Sequence, residues 1–126
     1  LLALSGYCVV AEVDSTVVGF VIAMRSGAPY DNDNYRWFDT RLSEMVYVDR
    51  IVLARDSRGR GIAAQLYDHL GELAIADGCC VMTAEMDLDP PNTHSLHFHK
   101  KRGFVEQGRR VLEGGKTVSM QSCPIK

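Results

Sequence analysis

Apolar residues along this chain come in short blocks separated by polar and glycine-rich turns. Residues 7–12 and 17–24 are two such blocks joined at Asp14-Ser15, and they predict an antiparallel hairpin of apolar strands. Residues 44–53 predict a third, strongly apolar strand. From 61 to 77 the period changes: Ile62, Leu66, Leu70 and Leu73 recur near 3.6 spacing, which predicts a helix that stops at Gly78. Residues 79–86 are mostly apolar again and predict a central strand. It ends at Asp87-Leu88-Asp89-Pro90-Pro91, because consecutive prolines cannot continue a ladder. A strand, a helical crossover and a strand make that pairing parallel. Asn92 or Thr93 then caps a short helix that reaches Arg102 and ends at Gly103. Residues 104–112 and 116–121, joined by Glu113-Gly114-Gly115, predict a closing hairpin.

Two stretches break the pattern. Residues 25–40 are polar and rich in Gly, Pro, Asn and Asp, with Tyr30, Tyr35, Trp37 and Phe38 interspersed. They read as a long loop, either a surface excursion pinned by its aromatics or a wall of a substrate site. Asp49-Arg50 interrupts the third strand, and a carboxylate in an apolar strand needs a reason. An ion pair with a nearby arginine is one; a polar group facing a reaction cleft is the other.

The 126 residues fit one domain with one core, and 46% apolar with 24% charged residues is ordinary for a globular chain. A net charge of -2 argues against binding nucleic acid by broad phosphate neutralisation. Cys8, Cys79, Cys80 and Cys123 form no Cys-x-x-Cys, which suits a reduced, cytoplasmic chain better than a disulfide framework. No run approaches the roughly 18 apolar residues of a membrane span, and the start shows no basic signal-peptide region. Neither membrane nor nucleic acid is an expected partner.

The stretch that carries chemistry is Arg58-Gly59-Arg60-Gly61-Ile62-Ala63, where an apolar strand runs through a basic, glycine-rich turn into a helix. Backbone amides at such a turn, the positive end of the helix and two arginines suit an anion, phosphate above all. It is neither a Walker loop nor a full dinucleotide fingerprint. It does match the Arg/Gln-x-x-Gly-x-Gly/Ala signature of the GNAT acyl-CoA N-acyltransferases. The segment Asn92-Thr93-His94-Ser95-Leu96-His97-Phe98-His99-Lys100-Lys101-Arg102-Gly103-Phe104 resembles that superfamily's second signature, Asn-x-x-Ala/Ser-x-x-Leu/Phe-Tyr-x-x-x-Gly-Phe. Asn92, Ser95, Phe98, Gly103 and Phe104 fall on pattern, and His99 stands where Tyr is usual. Residues 87–92 and 114–118 also look like a subgroup of acetyltransferases known chiefly from sequence.

The resemblance covers residues 8–122 and implies a mixed central α/β sheet whose parallel strand pair splays at the cofactor cleft. Helices on both faces and a C-terminal hairpin complete it. The family's first strand and following helices would precede residue 1. Acetyl-CoA is the implied co-substrate and an amine the acceptor. Backbone groups of Ile51, Val52 and Leu53 would bond the pantetheine arm. Amides of Arg58, Gly59, Arg60, Gly61, Ile62 and Ala63 would bind the pyrophosphate, and Asn92, Ser95, Phe98 and His99 would contact the cofactor from the neighbouring side. Glu85 and Asp49 are rival general bases, each able to act through a water. His99 is the implied acid for the leaving thiolate: with an unperturbed pKa near 6.5, about a quarter is protonated at pH 7. Packing, or a bond to the sulfur alone, is the other reading of His99, and Tyr47 is the other donor.

No metal is expected, since His97 and His99 are two apart and point to different helix faces, and no Cys or carboxylate has companion spacing. Lys100-Lys101-Arg102 reads as a basic last turn or as a contact to the 3′-phosphate of CoA. The resemblance leaves both a monomer and a homodimer paired through the last hairpin open. An acyl-CoA-binding or regulatory module without turnover is the alternative to an N-acetyltransferase acting on a small molecule or peptide.

Overall fold

A computed structural model describes residues 6–125. What precedes residue 1 therefore lies outside the described residues. The elements are β1 (Gly6–Val13), β2 (Thr16–Arg25), α1 (Asp33–Asp39), β3 (Met45–Leu53), α2 (Ile62–Ala76), β4 (Val81–Asp89), α3 (Thr93–Lys101), β5 (Val105–Val111) and β6 (Thr117–Pro124). A 3-10 turn, Arg55–Ser57, links β3 to the approach of α2. The six strands form one sheet in the order β1-β2-β3-β4-β6-β5. Only β3 and β4 run parallel; all other neighbours are antiparallel.

Local chemistry explains the ends. Asp14 and Ser15 both take positive φ, 51° and 65°, as a two-residue hairpin turn that follows the strand twist requires. Asn32 caps α1 by accepting from the Tyr35 amide, and Asn92 caps α3 by accepting from the Ser95 amide, at 2.9 and 3.1 Å.

The residues expected to form a long loop contain a helix. Within it Tyr35 and Phe38 are buried and Leu42 packs alongside. The physical reason is tertiary: seven residues are too few to be helical alone, but two large aromatics three apart have a sheet face to cover.

Alternation along the strands divides the core in two. Val46, Val48, Met82, Ala84 and Met86 pack with Ile62, Leu66, Tyr67, Leu70 and Ala74 of α2 and with residues of α3. Met45, Tyr47, Val118 and Met120 pack with Tyr35 and Phe38 of α1. Helices thus cover both faces, with α2 and α3 on one and α1 on the other.

Candidate active site

The parallel ladder of β3 and β4 is short. It runs Met45 to Val81, Val46 to Met82 and Tyr47 to Thr83, and beyond that point the strands part. β4 stays paired with β6 as far as Asp89, and β3 stays paired with β2 as far as Leu53. The β3 edge facing β4 from Val48 to Leu53 therefore carries backbone amides and carbonyls outside any ladder among the described residues. Ile51, Val52 and Leu53 all lie on it.

A β-bulge opens this splay. Ile22 pairs with Arg50 and Ala23 with Val48, so Asp49 is the extra residue. Before the bulge, even positions (Val46, Val48) face α2; after it, odd positions (Ile51, Leu53) do. Asp49 is thus turned away from the α2 core. Its side chain is 5% exposed and accepts from the Tyr30 hydroxyl and from Arg50 Nε, the latter at 2.8 Å. The ion pair with an arginine exists, and the arginine is its neighbour.

Glu85 stands two residues beyond the last rung of β4. Tyr47 donates to it at 2.7 Å, and the Asn34 side chain forms a second hydrogen bond. Burial raises its carboxyl above the ordinary value and the Asp49 charge adds to that, while the two hydrogen bonds oppose. Burial first, and then Glu85, push the Tyr47 phenol far up as well. Burial and the bond to Asp49 push Tyr30 up to about 12. Two carboxylates, each held by a tyrosine, therefore face the place where β3 and β4 separate. Glu85, Asp49 and Tyr47 are brought together.

His99 is not brought to them. It is 5% exposed and lies edge-on to Tyr67, Phe98 and Phe104. Nδ1 is 2.7 Å from the Ser95 carbonyl, which only accepts, so Nδ1 carries the proton. Burial lowers the ring's pKa, and in the neutral ring Nε2 accepts from the Tyr67 hydroxyl at 2.8 Å. Both nitrogens are committed inside the α2–α3 layer. Of the two readings of His99, acid at the cleft or packing, the arrangement is that of packing, and any proton it governs passes through Tyr67, a residue no motif singled out. Phe98 is half-buried in the same cluster, with Arg102 above it and Tyr67, and Arg102 pairs with Asp68 at 2.6 Å. Asn92 and Ser95 serve α3 itself, as cap and capped amide.

The glycine turn closes the far end of the splay. Gly59 and Gly61 have φ of 79° and 76°, and an added Cβ would meet nothing within 4 Å at either. Backbone conformation, not space, requires glycine there. Gly61 is the N-cap of α2 and brings no side-chain cap, and the first intrahelical bond runs from the Gln65 amide to its carbonyl at 3.1 Å. The amides of Ile62 and Ala63 precede that bond and point out of the helix end. Arg58 and Arg60 are exposed, with no ion-pair partner among the described residues. Among those residues, no three His, Cys, Asp or Glu side chains form a metal-binding group. Among the described residues no helix is long and apolar enough to cross a membrane.

The sequence profile of the acetyltransferase (GNAT) family matches residues 2–104. The chain belongs to that family. The GNAT fold is equally plain in solved structures. Nourseothricin acetyltransferase superposes with a TM-score of 0.76 at 22% identity, over 97% of this chain and 66% of its own. The ribosomal-protein-S18-alanine N-acetyltransferase of Escherichia coli gives 0.72 at 14% identity, over 97% and 70%. An aminoglycoside 6'-N-acetyltransferase complexed with coenzyme A gives 0.72 at 16%, over 97% and 74%. The chain thus spans about two thirds of the length of these GNAT proteins. No curated protein sequence matches it.

Sequence reasoning missed Tyr67 and Asn34. Tyr67 was visible as an aromatic one position beyond Leu66 on the α2 stripe. Asn34 was hidden in the presumed loop, although Asn32 before Asp33 and the Tyr35, Phe38, Leu42 spacing are a helix-start signal.

Proposed function

We propose that this GNAT domain is an acetyl-CoA-dependent N-acetyltransferase acting on a primary amine of a small molecule or peptide. The observation that carries the reading is the continuity of the site. An unladdered β3 edge runs from a half-buried carboxyl at Glu85, its pKa raised, to an uncapped, glycine-shaped helix start flanked by free arginines. A linear amide chain ending in pyrophosphate fits that sequence of groups: amides and carbonyls along Ile51 to Leu53, then helix-end amides and positive charge.

Acetyl-CoA, when bound, supplies an acetyl thioester whose carbonyl carbon accepts the amine and whose thiol leaves. Glu85 takes the proton that the attacking nitrogen gives up, directly or through a water. Its raised pKa makes it a better proton acceptor than an ordinary carboxylate. Asp49 keeps negative charge beside it and, held by Tyr30 and Arg50, favours an acceptor that arrives as a cation. Backbone N–H groups on the open β3 edge are donors for the carbonyl oxygen as it gains charge. Thiolate protonation falls to solvent, since the Tyr47 proton is engaged by Glu85 and the Tyr67 proton by His99 within the core. Four cysteines without Cys-x-x-Cys spacing suit a reducing, cytoplasmic site of action.

The test is thiol release from acetyl-CoA across a panel of primary amines. Amine-dependent release that falls sharply in Glu85→Gln supports the proposal. Tight CoA binding with no amine-dependent release instead supports a non-catalytic acyl-CoA-binding module, the reading that His99's commitment to the core favours.

A further inference from the structure

Glu85 is held from several sides, and one of the holds reaches across the sheet to the C-terminal hairpin. Asn34, in the first turn of α1, hydrogen-bonds the Glu85 carboxyl, and its Oδ1 accepts from Arg110 Nη1 on β5. A guanidinium only donates and a carboxylate only accepts. With Oδ1 turned to Arg110, the Asn34 amide is left with its NH2 toward Glu85, the orientation in which both contacts are favourable. Flipping the amide would set oxygen against carboxylate and NH2 against guanidinium.

We propose that Arg110 is a positioning residue for the reacting carboxylate: by fixing the Asn34 amide it keeps a donor on Glu85, so the C-terminal hairpin sets the pH at which Glu85 accepts a proton. The inference deepens the reading of Glu85 as general base and rests on it for its functional meaning. The packing supports it. Arg110 is half-buried, whereas neighbouring Arg109 is exposed and pairs with Glu106 at 3.0 Å. Two residues before Arg110, Gly108 lets Trp37 of α1 lie directly on β5; a Cβ there would come within 2.8 Å of the indole. Trp37 and Asn34 are three apart, on one side of the helix, so the hairpin grips α1 twice.

The other groups facing Glu85 are accounted for. Tyr47 donates from β3, Asp49 on β3 repels and is itself paired with Arg50, and Tyr30 binds Asp49 from the segment before α1. Further along β4, Asp87 pairs with Lys116 at 3.1 Å. Arg110 is the cation that reaches Glu85 through a single intervening amide.

The experiment is a carboxyl NMR titration of the full chain labelled with 13C-glutamate, with Glu85→Gln assigning the resonance. Arg110→Met and Asn34→Leu should each raise the Glu85 pKa by roughly half to one pH unit, and Arg110→Lys should largely restore it. The double variant should shift no further than either single one, because both remove the same donor. Should Arg110→Met not fold, Arg110→Leu takes its place in the cycle. An unchanged Glu85 pKa in the single variants, or additive shifts in the double, overturns the proposal. The pH profile of acetyl transfer separates the two readings. If the NMR pKa moves while the acid limb of kcat/KM stays put, Arg110 positions Glu85 and Glu85 is not the base.

Discussion

The Tyr47 hydroxyl donates to Glu85 at 2.7 Å from the last residue of β3 still paired to β4. The bond therefore spans the point where the two strands begin to part. That places a carboxyl with a raised pKa at the apex of the splay, and its consequences are measurable. Glu85→Gln should lower kcat/KM for acetyl transfer by about 10²- to 10⁴-fold and abolish the acid limb of its pH profile. Tyr47→Phe removes a hydrogen bond that lowers the Glu85 pKa, so its acid limb should move to higher pH. Steady-state kinetics across pH checks both.

The same shift fixes a stability trend. The folded-state pKa of Glu85 lies above its ordinary 4.5, so between the two values the folded chain binds more protons than the unfolded one. Its contribution to stability is then fully present below the unfolded pKa and is lost as pH rises through the folded one. Glu85→Gln should accordingly be more stable than wild type at about pH 8, with the difference shrinking toward about pH 5, in urea denaturation.

His99 predicts the opposite slope. Burial lowers its folded pKa below 6.5, so its contribution is present above that value and is lost as pH falls through the folded pKa. His99→Phe leaves the Tyr67 hydroxyl buried without its partner and should cost about 1 to 3 kcal/mol. Adding Tyr67→Phe should recover part of that loss. Denaturation of the two single variants and the double gives the coupling directly, and the turnover number of each separates a packing role from proton delivery.

What the sequence made legible was periodic or backbone-determined. The α2 stripe, the two hairpins and the parallel crossover follow from spacing and turn residues, and the glycine turn follows from the φ values that only glycine takes easily. The site's side chains were less legible for three physical reasons. The bulge at Asp49 reverses which residues face α2; the polar pair Asp49-Arg50 marks the place in the apolar strand but not that a residue is inserted there. A motif places His99 on α3 but not its rotamer, which its bond to the Ser95 carbonyl sets. α1 is short and needs the sheet to hold it, and its cap and aromatic spacing sit in a stretch rich in Gly, Pro, Asn and Asp, so Asn34 read as loop.

The glycine turn separates conformation from contact. Gly61→Val should raise the KM for acetyl-CoA about tenfold or more with a smaller change in kcat, because the αL backbone at the N-cap is lost and the amides turn away from the pyrophosphate. Gly61→Asn, which tolerates that backbone better, should be milder. Arg58→Ala and Arg60→Ala should also raise KM, by amounts that shrink as salt rises, since exposed charges are screened. CoA titration calorimetry at two ionic strengths distinguishes these cases.

Gly108 tests whether α1 matters to the chemistry at a distance. An alanine Cβ there would lie 2.8 Å from Trp37 Cζ2, closer than atoms pack, so the indole and with it α1 must shift. Overpacking of this kind costs about 1 to 3 kcal/mol, which urea denaturation reads. Because α1 also carries Asn34, the displacement should reach Glu85 and raise its pKa, moving the acid limb of kcat/KM upward. Trp37→Leu in the same chain makes room for the alanine and should bring stability and the acid limb back together. A limb that stays displaced after stability is restored would mean that Trp37 itself, and not the position of α1, holds the carboxyl.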